Sequence, residues 1–373
     1  MKNKIYKYDF LVIGAGLIGA ITALALVKKK FKVLVIDKKN SINKDNRTLA
    51  VNANSVDFLK KLDVWKELKT KPQPINKIVI QDNHNKQDLV FEHEKESMGN
   101  VIFNKDMHKI AIQKLEKMKI LVSGISFDIC EVLPNKKLII NKRNYIFKKV
   151  VVSVGKNIIS DKNHSSVIFD QQHHSYVGFF KHSLSHKNIA YEFFTHEGPL
   201  AILPSPSYNN KTSTFIYSTK EKTNKSKIHK LINEKITKTH GKLTFDSYVY
   251  KYPIVPHILK NNKNYIYIGD SLKSIHPVAG QGWNLGVKDI QTLCNLLDQY
   301  TIEAKNFNST YYSRRIIESF VYLGFTSLLN FLYENKSSLN NQIIKFGFNS
   351  LVNFKFIKDL FIKQAMGRSN LTD

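Results

Sequence analysis

A glycine-rich turn close to the start of the chain constrains its fold more than any other feature. Gly14, Gly16 and Gly19 follow a short apolar run, residues 10–13, with the spacing of a strand, a turn and a helix start. In this arrangement the first glycine permits the tight turn, the second lets the backbone approach a pyrophosphate, and the third lets the helix pack closely on the strand. The helix dipole and the free N–H groups of the turn favour a phosphate charge. The segment therefore predicts a dinucleotide-binding unit.

Asp37 narrows the choice of dinucleotide. It ends a second, mostly apolar strand, residues 31–36, at about 20 residues from the glycines, where an acidic side chain binds a ribose hydroxyl. An acid at this position repels a 2′-phosphate, so the pattern favours FAD or NAD over NADP. The alternative role for Asp37 is that of a helix N-cap, and its spacing from the glycines favours the ribose.

The same segment also raises a transmembrane alternative, because residues 10–27 carry no charge. A stretch of about 18 residues is at the short end for crossing a bilayer. The glycines have the spacing of a strand, a turn and a helix, and lysines follow at 28–30, so a buried βα unit is favoured. No secretory cleavage pattern follows the segment.

A second glycine-containing segment lies far along the chain. Gly269 and Asp270 follow a strand-like run, and residues 276–286 read His-Pro-Val-Ala-Gly-Gln-Gly-Trp-Asn-Leu-Gly. Such a loop brings backbone N–H groups and a helix N-terminus to the other end of the same dinucleotide. One glycine fingerprint is a weak signal, but the two segments together are a strong one and indicate a flavoprotein.

Composition limits the other classes of function. The chain has 373 residues, enough for a large core and about two domains. Its two cysteines, Cys130 and Cys294, match no metal or redox spacing, which favours a reducing compartment and predicts no metal site. The net charge of +27 would suit nucleic acid, but only five of the 57 basic residues are arginine, which is favoured for bidentate contacts to phosphates and bases. We therefore expect no nucleic-acid partner.

Strand and helix patterns predict an α/β fold with an α+β insert. Residues 48–68 and 104–117 have helical apolar spacing, and residues 173–255 alternate aromatic and β-branched positions as antiparallel strands do. We expect a Rossmann-like FAD-binding domain with an interleaved antiparallel-sheet substrate domain and C-terminal helices. The predicted boundaries are 1–73, 97–165 and 259–300 for the FAD-binding domain, 74–96 and 166–258 for the substrate domain, and 301–373 for the C-terminal helical region.

Over nearly its whole length the chain resembles the flavin-dependent aromatic hydroxylases of the p-hydroxybenzoate hydroxylase fold. Within that family it is similar to the ubiquinone-biosynthesis branch, the 2-polyprenyl-6-methoxyphenol hydroxylases. The segments that carry the resemblance are residues 47–50, 59–65, 74–78, 191–204 and 269–284. The segment at 191–204, Tyr-Glu-Phe-Phe-Thr-His-Glu-Gly-Pro-Leu-Ala-Ile-Leu-Pro, resembles one particular to the ubiquinone branch.

The resemblance implies a reaction and roles for individual residues. Asp270 would bind the ribityl chain of FAD, and Pro277 would lie near the reactive carbon of the flavin, with His276 as a second catalytic candidate that is equally well explained as structural. The residues expected at the cofactor are Gly14, Gly16, Gly19, Asp37, Arg47, Gly155, Gly269, Asp270, Pro277, Gly280, Gln281, Gly282 and Asn284. In the family, a flavin hydroperoxide transfers OH to an electron-rich phenol, and the protein orients the substrate and excludes water.

One departure from the family pattern concerns the reductant. The family's Ala-Asp-Gly motif corresponds here to Ser153-Val154-Gly155, in which valine replaces the aspartate. The family implies NADPH or NADH, and Val154 leaves another electron donor open. A hydroxylase of a small soluble aromatic compound and a flavin-binding, non-catalytic assembly subunit stay open as alternatives.

The C-terminal third suggests a membrane surface. Residues 354–363 alternate lysines with apolar residues at roughly helical spacing, as an interfacial amphipathic helix does. A helix packed on the domain with its lysines outward is the alternative. The expected partners are a polyprenylated phenol, molecular oxygen, other ubiquinone-biosynthesis proteins and an anionic membrane surface. The expected location is cytoplasmic, with peripheral association with the inner face of the membrane as a hypothesis.

Overall fold

The computed structural model describes residues 4–39, 47–82, 87–126, 128–160, 165–169, 173–207, 209–261, 263–275, 281–334 and 337–368. The helices in these ranges are α1 (Leu17–Lys28), α2 (Ala53–Lys61), α3 (Asn104–Lys117), α4 (Lys225–His240), α5 (Gln281–Gln299), α6 (Phe307–Glu334), α7 (Ser338–Asn353) and α8 (Lys355–Ala365). The strands are β1 (Ile5–Ile13), β2 (Val33–Asp37), β3 (Thr48–Asn52), β4 (Gln73–Ile75), β5 (Lys77–Asp82), β6 (Leu89–Glu92), β7 (Gly99–Phe103), β8 (Leu121–Ser123), β9 (Leu138–Ile140), β10 (Arg143–Val152), β11 (Ser166–Ile168), β12 (His174–His182), β13 (Ile189–Thr195), β14 (Gly198–Pro204), β15 (Thr212–Thr219), β16 (Leu243–Pro253), β17 (His257–Leu259), β18 (Tyr265–Tyr267) and β19 (Lys273–Ser274).

A parallel sheet forms the first layer of the fold, with strand order β18-β10-β1-β2-β8 and β9 antiparallel on β10. The central strand β1 ends in an uninterrupted apolar run, Phe10–Ile13, whose side chains are all buried. This is expected of a strand that is covered on both faces. α1 and α3 pack against each other beside this sheet and share its core. The apolar stretch at residues 10–27 is thus divided between β1 and a buried α1, which confirms the strand–turn–helix prediction over the transmembrane alternative.

The strands of the parallel sheet come from widely separated parts of the chain. β18 follows all seven strands of the large sheet in sequence, yet it pairs with β10. The Rossmann-like, interleaved organisation is therefore confirmed, while the residue boundaries assigned to its parts stay predictions.

A larger sheet forms the second layer, with strand order β16-β12-β15-β14-β13-β5-β6. Its strands are antiparallel except for β5 and β13, which run parallel. The antiparallel sheet expected for residues 173–255 is therefore confirmed, and the one parallel pair joins it to β5 from an earlier part of the chain. Parallel neighbours need a long crossover connection, and here more than 100 residues, including a return to the first layer, separate β5 from β13.

The two faces of this large sheet are covered differently. α4, which the strand pattern of residues 173–255 did not predict, packs Ile228, Ile232 and Ile236 against Phe180 and Phe215 on one face. On the other face, Phe348 of α7 and Ile362 of α8 belong to one buried core. The strands contribute Leu89 and Phe91 from β6 and Ala190 from β13.

Residues 48–68 differ from the expected continuous helix. Their first part is β3, which pairs antiparallel with β7, and α2 begins only at Ala53. The Asn52 side chain accepts a hydrogen bond from the Ser55 N–H at 2.9 Å, so it caps α2 and ends the strand. The apolar spacing did not separate the two elements because β3 has only five residues, too few to show a strand alternation distinct from the helical pattern.

Candidate active site

A cavity of about 1310 Å³ lies where the edge of the parallel sheet meets the large sheet. Its wall is built from the β1–α1 turn, the end of β2, the start of β3, α3, the loop after β10, the turn after β18 and the start of α5. The opposite part of the wall comes from the large sheet, through Ser175, Val177, Leu203, Ile216 and Tyr252. The two glycine segments of the sequence therefore meet at one cavity. It lies outside the carboxyl ends of the parallel strands, the usual ligand position in such sheets.

The three glycines of the first turn have three different environments. Gly14 has φ +99°, and a Cβ there would lie 2.3 Å from the Ser153 carbonyl oxygen. A Cβ on Gly19 would lie 2.0 Å from the Gly14 carbonyl oxygen, so Gly19 is required for the helix to approach the strand. Gly16 has φ −58°, and a Cβ there would meet no protein atom within 4 Å. Gly16 faces the cavity, so the open space beside it fits the close approach of a pyrophosphate.

The Ala15 peptide is held from both sides. Its N–H donates to Asp37 Oδ2 at 2.6 Å, and its carbonyl oxygen lies 2.8 Å from His108 Nε2 on α3. Because a carbonyl can only accept, the buried His108 presents its Nε2–H to this oxygen. Asp37 also accepts the Lys39 N–H at 2.7 Å, so its carboxylate holds the turn as well as lining the cavity. In the sequence, nothing distinguishes His108 except its place in a helical pattern.

The second turn, Gly269–Asp270, is held by a buried ion cluster. Gly269 has φ +62°, which favours glycine, and its N–H donates to Asp289 Oδ2 at 2.9 Å. Arg315 Nε donates to Asp289 Oδ1 at 2.6 Å, and Lys273 Nζ bonds the same oxygen. Asp270 itself is exposed and lines the cavity. The sequence predicted Gly269 and Asp270, but not the residues beneath them.

Charge and burial compete in this cluster. Asp289 and Arg315 are fully buried, and burial lowers the pKa of Lys273 to about 8 although Asp289 opposes the shift. Burial also disfavours the charge of Arg315, but Asp289 and Glu318 outweigh it and raise its pKa. Glu318 bonds Arg315 and lies 3.4 Å from Lys288 Nζ, so the cluster joins α5 to α6.

The remaining segment of the second motif is divided between described and undescribed residues. His276, Pro277 and Gly280 lie outside the described residues. Gln281 begins α5, and Gly282 lines the cavity beside Trp283. Asn284 makes a bridge to β3: its Oδ1 accepts the Asn52 N–H at 3.0 Å and its Nδ2 donates to the Ala50 carbonyl oxygen at 2.9 Å. The structure thus places Asn284 as a link between the start of α5 and the strand that walls the cavity.

Two further predicted positions lie at the cavity wall. Gly155 has φ +67° and open space around the position of a Cβ, and Val154 precedes it in the wall. The Arg47 guanidinium lies 4.5 Å from the ring centroid of Tyr252, which belongs to the large sheet. Arg47 therefore links the segment before β3 to the large sheet at the cavity wall. The roles of all these residues toward a cofactor stay predictions.

Comparison with known proteins gives a family model described as an FAD binding domain, which matches residues 7–122. The ubiquinone hydroxylase UbiM of Neisseria meningitidis is 22% identical over 96% of this chain and 84% of its own length. The mitochondrial ubiquinone biosynthesis monooxygenase COQ6 of Caenorhabditis elegans is 23% identical, with 84% of each chain covered. The ubiquinone hydroxylase UbiL of Rhodospirillum rubrum is 22% identical over 97% of this chain and 90% of its own length.

Solved structures show the same fold. The p-nitrophenol 4-monooxygenase PnpA of Pseudomonas putida superposes with a TM-score of 0.74 at 12% identity and covers 98% of this chain and 99% of its own. The flavin-dependent brominase Bmp2 superposes with a TM-score of 0.76 at 12% identity, over 97% and 94% of the two chains. With two glycine turns at one cavity, this chain contains an FAD binding domain, and over most of its length it is similar to ubiquinone hydroxylases.

Proposed function

We propose that this protein is an FAD-dependent monooxygenase that hydroxylates the aromatic ring of a polyprenylated phenol in ubiquinone biosynthesis. The observation that carries the proposal is the single cavity that joins both glycine turns to the wall of the large sheet. The Gly14–Gly16 turn would hold the pyrophosphate, while Asp270 and the start of α5 at Gly282 would hold the flavin half. When reduced, bound FAD supplies the activation of molecular oxygen.

The large sheet supports the proposal with an apolar wall for a ring. Val177 pairs with Ile216 across β12 and β15, so the two side chains share one face of the sheet. Both line the cavity, together with Leu203 from β14. Ser175 pairs with Tyr252 at the edge of the same wall and adds polar groups. Such a wall would orient an aromatic substrate and exclude water, which is the main contribution that the reaction asks of the protein.

The reductant is tested by anaerobic stopped-flow spectroscopy of the purified protein with NADPH and then NADH, with and without a prenylated phenol. We expect the yellow flavin band to bleach faster when the phenol is present, and a hydroxylated product to form when oxygen is added. Faster reduction with a small soluble phenol than with the prenylated one would favour the soluble-substrate alternative.

Val154 is the observation that favours a second candidate, a flavin-binding assembly subunit without turnover. It stands at the cavity wall where the family has an aspartate. FAD that stays bound and is reduced by neither nicotinamide would contradict the NAD(P)H-dependent hydroxylase. That result would direct the search to another electron donor or to partner proteins of the same pathway.

We also propose that the protein associates peripherally with an anionic membrane, on the cytoplasmic face. Apolar side chains are exposed on the three C-terminal helices and at the junction of α7 and α8: Phe320, Val321, Leu328, Phe331, Leu339, Ile343, Phe346, Phe354, Phe356 and Leu360. We call these residues the C-terminal apolar surface. Exposed Lys345, Lys355 and Lys363 lie among them, and a lysine near an anionic bilayer contributes about 1 kcal/mol. A polyprenyl phenol partitions into the bilayer, so an enzyme that uses it benefits from such a surface.

Among the described helices, α6 is long and apolar enough over Phe307–Tyr333 to cross a membrane. In its apolar 18-residue stretch, 40% is buried inside the protein. Its Arg315 and Glu318 are buried in the ion cluster beneath the cavity, which favours a helix packed on the protein. Co-sedimentation with anionic liposomes at low salt tests the peripheral association. Protein that stays in the supernatant would contradict it.

A further inference from the structure

The buried ion cluster beneath the cavity consists of Lys273, Lys288, Asp289, Arg315 and Glu318, and we call it the Asp289 cluster. Lys273, Asp289, Arg315 and Glu318 are each at most 3% exposed. Burying charges is costly even when they are paired, and replacing such a group by apolar residues is often neutral or stabilising. A cluster of this size therefore needs a reason other than stability.

The two oxygens of Asp289 are used for different purposes. Oδ1 accepts hydrogen bonds from Arg315 Nε and Lys273 Nζ, so two cations fix the orientation of the carboxylate. Oδ2 is then directed at the Gly269 N–H, 2.9 Å away. A hydrogen bond to an ionised acceptor is stronger than one between neutral groups. The two cations thus hold a charged acceptor beneath the turn.

The bond to Asp289 acts together with backbone hydrogen bonds on either side of Gly269. The Ile268 N–H donates to the Val152 carbonyl oxygen at 3.1 Å, and the Leu272 N–H donates to the Gly269 carbonyl oxygen at 2.9 Å. Gly269 adopts φ +62°, and its own N–H is bonded to the Asp289 carboxylate. The three elements that meet at Asp289 are β19 through Lys273, α5 through Asp289 and α6 through Arg315. The position of the turn therefore depends on how β19, α5 and α6 pack together around Asp289.

We propose that Asp289 is a positioning residue that holds the Gly269–Asp270 turn in the geometry that binds the flavin half of FAD. The inference rests on the proposed function only in taking FAD as the ligand. It makes no demand on the electron donor or on the aromatic substrate. Asp289 acts through the turn, since its carboxylate lies behind Gly269 and is fully buried.

The test compares the affinities of the purified, FAD-free full chain for FAD and for ADP. ADP contains the half of FAD expected at the Gly14–Gly16 turn, so it does not use the Gly269–Asp270 turn. We expect Asp289→Asn to raise the Kd for FAD by at least about tenfold, because a charge-assisted bond is lost, and to leave the Kd for ADP within about twofold. Asp298→Asn is the matched control on the same helix. Asp298 is exposed and pairs with Lys29, and its variant should leave both constants unchanged.

The single variant removes the negative charge that Lys273 and Arg315 share, while Glu318 still pairs with Arg315, so a second variant keeps the net charge of the cluster. Lys273→Met combined with Asp289→Asn removes one positive and one negative charge. A role in stability alone predicts that this pair recovers FAD affinity together with the melting temperature. The proposal predicts that the pair recovers stability and still binds FAD weakly.

A third measurement needs no variant. Hydrogen exchange of the wild-type, FAD-free protein should show a slowly exchanging amide at Gly269. Rapid exchange at Gly269, wild-type FAD affinity in the charge-balanced pair, or equal loss of FAD and ADP affinity would each overturn the proposal. A wild-type protein that binds FAD and ADP but hydroxylates no phenol would instead contradict the proposed function and leave the role of Asp289 standing.

Discussion

Of the three glycines in the first turn, the protein itself requires two, and the third faces the ligand. Gly14 and Gly19 are required by the Ser153 and Gly14 carbonyl oxygens that a Cβ would strike. Gly16 has an ordinary φ and no protein atom near the position of a Cβ. Its absence of a side chain therefore matters only when the cavity is filled.

Substitution of alanine at these positions should separate binding from stability. Gly19→Ala should destabilise the protein by about 3 kcal/mol, because its Cβ overlaps the Gly14 carbonyl oxygen. Gly16→Ala should change the melting temperature of the FAD-free protein by less than about 2 °C and weaken FAD binding by about tenfold. Calorimetry and FAD titration measure the two effects. A Gly16→Ala protein with wild-type affinity for FAD would place the pyrophosphate elsewhere.

Three of the five arginines in this lysine-rich chain lie where a planar guanidinium has a specific partner. Arg315 bonds two buried carboxylates, and Arg47 lies over the ring of Tyr252. Arg368, next to the end of α8, bonds Glu96 with two nitrogens, at 2.5 and 2.8 Å. Lysine cannot reproduce these geometries. The small number of arginines, which argued against nucleic acid, therefore also identifies residues with structural importance.

At the scale of single elements, a cluster of histidines joins the end of α4 to the end of β12 in the large sheet. The ring centroids of His182 and His240 are 4.6 Å apart, and those of His182 and His186 are 5.9 Å apart. Burial, helped by the neighbouring histidines, lowers the pKa of His186 to about 4 and that of His240 to about 3, from 6.5. The folded protein thus keeps these rings neutral where the unfolded chain would protonate them.

Stability should consequently fall in mild acid. Because the folded pKa values are lower than the unfolded value of 6.5, the unfolded state binds more protons below pH 6.5. The contribution of the cluster is complete above pH 6.5 and is lost as the pH falls toward 4, at about 1.4 kcal/mol per pH unit for each histidine. Urea unfolding at pH 7.5, 5.5 and 4.5 measures the slope. His240→Phe should reduce the slope. An equal slope in His240→Phe would place the titrating groups elsewhere.

The helices α7 and α8 each have both buried and exposed apolar side chains. Phe348 and Ile362 are buried against the large sheet, while Phe346 and Phe356 are 76% and 74% exposed. The pattern of residues 354–363 left a packed helix and an interfacial helix as alternatives. The structure gives α8 a packed side and an exposed apolar side, so it has the features of both.

Replacing the exposed side should therefore affect the membrane and leave the fold intact. We expect Phe346→Ser with Phe356→Ser to reduce co-sedimentation with anionic liposomes by about tenfold, since each removes the contribution of a large apolar side chain, about 1.5–3 kcal/mol when fully buried. The melting temperature should stay close to that of the wild type. Ile139→Ser is the control, because Ile139 is an exposed apolar residue on β9 at 60% exposure. Unchanged binding in the double variant would remove α7 and α8 from the proposed interface.

At the scale of the whole molecule, the cavity is the place where the two layers meet. Its wall includes Gly14 and Asp270 from the first layer and Val177 and Leu203 from the second. Arg47 and Asn284 reach across to other segments of this wall. A ligand that fills the cavity should therefore stabilise the molecule as a unit.

FAD should accordingly raise the melting temperature of the entire chain. At a free concentration about 100 times its Kd, FAD adds about 2.7 kcal/mol to the free energy of unfolding. Calorimetry with and without FAD measures the shift, and circular dichroism followed at two wavelengths tests whether helices and strands unfold together. ADP, which lacks the flavin half, serves as the comparison ligand. Two transitions, of which FAD moves only one, would contradict a cavity shared by both layers.

The sequence alone determined the parts of this protein whose physical requirements are local. The β1–α1 turn follows from glycines, an apolar run and an acid within a short segment, and α3 follows from the spacing of its apolar residues at Asn104–Lys117. The tertiary structure decided what depends on residues distant in sequence: the parallel pairing of β5 with β13, the contact of His108 with Ala15, and the Asp289 cluster beneath Gly269. A local pattern records which residues share a face of one element. It cannot record which buried charge on another element will meet them, because that depends on how the packed layers bring the elements together.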